Sequence, residues 1–128
     1  MAKWVHADVL DNGIAYIKAN CNKMALVSSY TAGDSYATVN AAIVADTAMA
    51  TGDFTIAASG NNRTLTTAAG KSDTAANVTG GGAGNHIAFL DTTNSKVLWV
   101  TNETSGQSIT IGNPVSFPSL VYTVNQPT

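Results

Sequence analysis

Apolar residues recur along this chain with two different periods. Near the N-terminus Leu10, Ile14 and Ile17 stand at i, i+4 and i+7, the spacing of one helical face. Asp11 and Asn12 sit ahead of them as cap-type residues, so a short helix is predicted within 11–20, somewhat weakened by Gly13. Residues 1–10 read as an arm before it. From Lys23 onward the runs shorten and become strand-like. Lys23-Met24-Ala25-Leu26-Val27-Ser28 is a compact apolar run, expected as a buried strand. Tyr36 to Val44 admits two readings. Tyr36, Val39 and Ile43 suit a helix, whereas Val39, Ala41 and Ile43 suit a strand; one or two helical turns in a long connection are preferred.

Beyond Gly52 the pattern is a series of hairpin-like pairs. Phe54, Ile56 and Ala58 alternate with Thr55 and Ala57, which predicts a half-buried strand. Ser59-Gly60-Asn61-Asn62 is a turn signal, and 63–67 returns with weak alternation, as an edge strand would. Residues 70–85 are expected to form a loop. The runs 86–90 and 97–101 are apolar on both faces, so they are expected to be central strands, joined by a hairpin loop over 91–96. Ile109-Thr110-Ile111, Val115-Ser116-Phe117 and 120–124 complete the set, the last two as one strand or a pair. Pro118 between them lacks a backbone donor and marks a bulge or an edge. Short strands every 8–12 residues or so predict a mainly β protein, one antiparallel sandwich or barrel with a short N-terminal helix. No boundary divides residues 1–128, and 125–128 are left as a tail.

Composition supports this reading and removes several functions. Seventeen Thr, twelve Asn and ten Ser stand against a single glutamate, Glu103. Threonine fits a pleated surface and Asn and Ser suit turns, whereas long helices favour Glu and Lys. The six basic residues are scattered and the formal charge is −2, so no stripe exists to neutralise a phosphate backbone and no nucleic-acid partner is expected. No apolar run reaches the ~18 residues of a membrane span. The N-terminus lacks the apolar stretch of a signal peptide. One cysteine, Cys21, excludes an intrachain disulfide framework and a cysteine-rich zinc site.

Candidate chemistry is sparse. His6 and His86 have no third ligand at metal spacing. Cys21 with either histidine would make a thiolate pair, but a lone cysteine at a helix end is more often a small buried hydrophobe. Gly80-Gly81-Gly82-Ala83-Gly84 ends in Asn85-His86, without the Gly-Lys-Ser/Thr of a phosphate loop, so it reads as a flexible or tightly turning loop. The sequons at Asn62, Asn77 and Asn102 are no more than composition yields. Most carboxylates sit among turn formers; a glycosidase-like pair needs a fold to test it, and no calcium loop occurs. Trp99 is expected in the core. Trp4, in the arm, would either pack back or anchor a partner. No catalytic, metal or cofactor-binding residue is expected.

A resemblance adds to this. The opening from Trp4 to Lys18, then Met24-Ala25-Leu26-Val27-Ser28, Met49-Ala50-Thr51-Gly52-Asp53-Phe54-Thr55, Ile87-Ala88-Phe89-Leu90-Asp91 with Asn94-Ser95-Lys96-Val97-Leu98, and Val115-Ser116-Phe117-Pro118 resemble, in order, a family of small virion proteins of tailed bacteriophages. Some of these are similar to capsid cement, or decoration, proteins. The resemblance implies a jelly-roll-like β-sandwich on the outer surface of the phage head. It implies a non-enzymatic protein without cofactors, binding the major capsid protein over subunit junctions as a dimer or trimer. Intersubunit contacts are then expected from the arm, at Trp4 and Val5, and from the tail, at Asn125, Gln126 and Pro127. The glycine run has no counterpart in the family. The alternative is a tail, neck or fibre component that binds host glycans. A small hydrolase using Asp/His or Cys/His is a third reading.

Overall fold

The computed structural model describes residues 4–5, 12–103 and 106–125. In chain order the elements are β1 (Trp4–Val5), α1 (Ile14–Asn20), β2 (Lys23–Val27), α2 (Tyr36–Ala41), β3 (Ile43–Ala48) and a 3-10 turn (Thr51–Asp53). There follow β4 (Phe54–Ser59), β5 (Asn62–Thr67), β6 (Lys71–Asp73), β7 (Gly80–Gly81), β8 (His86–Asp91), β9 (Lys96–Asn102), β10 (Ser108–Ile109), β11 (Val115–Phe117) and β12 (Val121–Val124). The chain is mainly β, antiparallel and sandwich-like, with a short helix near its N-terminus, as the patterning predicted.

A five-stranded sheet in the order β1-β9-β8-β2-β3 is the larger layer, and a three-stranded sheet, β12-β5-β4, is the smaller. Two short ribbons, β10-β7 and β11-β6, close the margins. The larger sheet is apolar on both faces because both are covered. Met24, Leu26, Ile87, Phe89 and Trp99 share a core with Phe54 and Leu65 of the smaller sheet and Ile14 and Ile17 of α1. Ala25, Val27, Ala88, Leu90, Val97 and Val100 pack with Tyr30 and with Val39 of α2. Alternation along each strand sends successive residues to these two cores. A register shift between Phe89 and Leu90 adds one residue to β9, so adjacent Leu98 and Trp99 both reach the first core.

Several expectations change. Gly13, with φ 72, is the N-cap of α1 and offers no side chain, so Asn12 is not the cap; Asp11 and Leu10 lie outside the described residues. Serine does cap α2, where Ser35 Oγ accepts the Thr38 N–H at 3.2 Å. The helical reading of 36–41 therefore holds, but Ile43 begins a strand that the alternating apolar count did not reveal. The strand over 63–67 is not an edge: β5 is the centre of its sheet, between β4 and β12. Its weak alternation reflects threonine, which suits either face. Residues 70–85 are not one loop, since they contain β6 and β7. Each is held by a distant partner, Asp73 opposite Val115 and Gly81 opposite Ser108. The strand at 109–111 is shorter and earlier, at Ser108–Ile109, and Ile111 is exposed. β11 and β12 belong to different sheets, divided at Pro118-Ser119. Part of the arm is itself a strand, β1, with Trp4 opposite Val100.

Candidate functional site

The residues with reactive side chains are placed apart. Cys21 is the C-cap of α1 and 3% exposed. Burial pushes its thiol up to about 12, against the lowering effect of its hydrogen bond to the Lys23 carbonyl. A thiol so placed is not a nucleophile at neutral pH. Cys21 precedes Lys23, which pairs with Leu90, whereas His86 pairs with Val27 at the other end of the same strands. The two do not form a thiolate pair. His6 lies outside the described residues. Among the described residues, no three His, Cys, Asp or Glu side chains are grouped to hold a metal.

His86 is buried and only half-satisfied. Its Nδ1 lies 2.7 Å from the Gly84 carbonyl, which fixes the proton on Nδ1, while Nε2 has no partner. The opposite residue on β9 is Asn102, whose Oδ1 is also buried without a partner. The imidazole leans on Tyr30, with ring centroids 5.8 Å apart.

Most of the described carboxylates serve turns, whereas Asp46 on β3 pairs with Lys23 at 3.4 Å. Asp91 accepts the N–H groups of Thr93 and Asn94 and the Asn94 amide, shaping the β8–β9 turn. Asp34 accepts the Thr31 N–H, Asp73 those of Ala75 and Asp46, and Glu103 that of Gly106. Asp53 accepts the Ala50 N–H at 2.8 Å and pairs with Lys71 at 3.0 Å.

The glycine run is a tight structure built around Asn85, which is 2% exposed. Asn85 Oδ1 accepts the Gly82 N–H at 2.8 Å, and its amide donates to the Gln107 carbonyl at 2.8 Å. A Cβ on Gly81, where φ is +89, would stand 2.5 Å from Asn85 Oδ1. Glycine is required there by both space and backbone. Beside it lies a cleft of about 250 Å³, lined by Asn85, Glu103, Gln107, Ile109, Ser116 and Phe117, among others. Asn85 spends both ends of its amide inside the fold, so it offers this cleft no free donor–acceptor pair.

The most distinctive exposed feature is the outer face of the smaller sheet. Phe54, Leu65 and Tyr122 point to the core, which leaves Thr55, Ala57, Ser59, Asn62, Thr64, Thr66, Val121 and Thr123 on the other side. Registers align Thr55, Thr66 and Val121 in one row and Ala57, Thr64 and Thr123 in the next. No residue of this face is charged. Val121 is 57% exposed. At the β12 margin, a groove of about 240 Å³ is lined by Trp4, Trp99, Val100, Val121, Tyr122 and Thr123, among others.

Of the expected contact residues, Trp4 is half-buried against the core that holds Val97 and Val100, and it also lines this groove. Val5 pairs with Trp99 in β1. Asn125 follows β12 and is exposed. Gln126 and Pro127 lie outside the described residues. Sequence reasoning missed the threonine face, although Thr64, Thr66 and Thr123 stand at alternate positions; which strands lie side by side was not visible. No helix among the described residues is long and apolar enough to cross a membrane. Comparison with family models, curated proteins and solved structures finds no match.

Proposed function

We propose that this chain is a structural protein of a tailed-phage virion, a capsid cement protein. It binds the major capsid protein across subunit junctions on the outer surface of the head and stabilises the shell. The observation that carries this reading is the charge-free outer face of β4, β5 and β12. Interface cores are depleted in charge, and threonine loses little rotamer freedom on docking. The sequence resemblance points the same way. A shell repeats one surface many times, so modest affinity at each site sums across the lattice when copies are linked.

The test is co-sedimentation of purified protein with expanded capsids that lack it. Saturation at one copy or oligomer per subunit junction is the expected result. No binding refutes the reading. Occupancy by a handful of copies moves the protein to the tail or neck and favours a host-glycan module instead.

A further inference from the structure

An edge strand presents unpaired N–H and C=O groups, and proteins usually guard such edges. Most edges here are guarded or short. β3 is covered where Val44 O accepts the N–H groups of Asn77 and Val78, at 2.9 and 3.3 Å. The start of β4 is crossed by Lys18, whose ammonium donates to Phe54 O. β1 is two residues long. β12 has no such device: it contains no charge and no proline, and β5 is its only strand neighbour among the described residues.

The direction of its free groups follows from its register. Thr67 N–H donates to Leu120 O at 2.9 Å, and Leu120 N–H donates to Thr67 Oγ1 at 2.8 Å. Leu120 therefore faces β5, and by alternation so do Tyr122 and Val124. Val121 and Thr123 turn their N–H and C=O groups away from β5, where no described residue pairs with them. Only another extended strand complements such a row. The edge carries no charge that would select an oppositely charged strand, and a second β12, itself uncharged, meets it without a charge left unpaired and in register about a two-fold axis.

We infer that β12 is the seam of a homodimer, in which two copies pair their β12 strands antiparallel and join the two three-stranded sheets into one. With Tyr122 on the axis, Val121 of each copy exchanges both backbone hydrogen bonds with Thr123 of the other. The two Tyr122 rings then meet as a cross-strand aromatic pair, in the groove shared with Trp4 and Trp99. The exposed Val121 side chain is covered by the mate's Thr123. This deepens the homo-oligomer part of the cement reading and rests on it only there.

The experiment is sedimentation equilibrium of the full chain and two variants. Val121→Lys adds a charge at an exposed position of the seam. Thr123→Pro removes a donor that points away from β5, so the internal ladder is spared. Wild type is expected at twice 13.1 kDa. Both variants, with native near-UV circular dichroism, are expected to weaken dimerisation by about tenfold or more. A wild type that stays monomeric at every concentration overturns the inference, as does an oligomer that neither variant weakens. Capsid co-sedimentation separates the two proposals. A monomer that still coats capsids sinks the seam alone, and a seam dimer that ignores capsids sinks the cement role alone.

Discussion

Phe89 is the place to test how the two sheets are held together. Its ring is fully buried and lies second in a chain of four. Phe54 of β4 meets it edge-on at 6.3 Å, Trp99 of β9 stacks on it at 4.5 Å and 12°, and Tyr122 of β12 meets Trp99 at 5.4 Å. The chain thus leaves the smaller sheet, crosses two strands of the larger one and returns to the other margin of the smaller. Phe89→Ala removes the ring and leaves a cavity between layers that backbone pairing holds apart. Such truncations cost about 3–5 kcal/mol. A domain of this kind has roughly 5–15 kcal/mol in all, so a large share of the stability is at stake.

Urea unfolding followed by tryptophan fluorescence measures the loss, since Trp99 reports directly on its stacking partner. The midpoint should fall while the denaturant slope stays the same, and melting should drop by very roughly 10–20 °C. A double-mutant cycle with Trp99→Leu should return a coupling of about 0.5–1.5 kcal/mol for the stack. A loss below about 1.5 kcal/mol with an unchanged slope would refute the claim that this aromatic chain joins the layers.

Four further outcomes follow from local geometry. Gly81→Ala places a Cβ 2.5 Å from Asn85 Oδ1 on a backbone at φ +89, and should cost about 1–3 kcal/mol in urea. Gly52→Ala, with open space and no positive φ, should be near neutral in the same assay. The Ala50 N–H, with help from the Lys71 ammonium, holds the Asp53 carboxyl below its usual range. Because its folded value is the lower one, its stabilisation is present above the unfolded value of ~3.9 and fades as pH falls through the folded value. The stability gap between wild type and Asp53→Asn should therefore be constant near neutrality and close in acid. Burial raises the Cys21 thiol to about 12, so its contribution is present below the unfolded value and is lost as pH rises from there toward 12. Thiol labelling near pH 8 should then proceed only as fast as the chain opens, and a free-thiol rate in the folded protein would contradict the burial.

The elements visible in the sequence are those whose periodicity is a local property. Ile14 and Ile17 mark one face of α1, Phe54 and Ile56 mark one side of β4, and the unbroken runs of β8 and β9 signal a sheet covered twice. The missed elements owe their existence to distant partners. β6 is a polar tripeptide, Lys71-Ser72-Asp73, that becomes a strand only because Val115–Phe117 lies opposite. β1 is two residues placed by Val100 and Trp99. β3 reads Ile-Val-Ala-Asp-Thr-Ala, with too few large residues to announce a strand, and pairing with β2 makes it one. The edge assignment of β5 failed for the same reason, since nothing in 63–67 shows that 121–124 returns beside it. Asn85 was hidden differently: a buried asparagine is found only when the glycines that make room for it are seen to surround it.

The threonine face raises a question of solubility against docking. Only 11% of the residues are charged, yet the chain still leaves a broad sheet surface to solvent without any charge on it. Lysine there would favour solution, but immobilising each lysine on a partner costs about 1.5–2 kcal/mol of rotamer entropy. Threonine, branched at Cβ, is already stiff and loses little. The pattern therefore favours a surface fixed in advance for contact. Thr64 and Thr66 lie on the central strand and point outward, so Thr64→Lys/Thr66→Lys should unfold within about 1 kcal/mol of wild type. Capsid occupancy of that variant should nonetheless fall about tenfold or more at sub-saturating protein, because two solvated charges must be stripped of water or displaced. Unchanged occupancy with an unchanged fold would remove this face from the docking surface and leave the cement reading without its structural support.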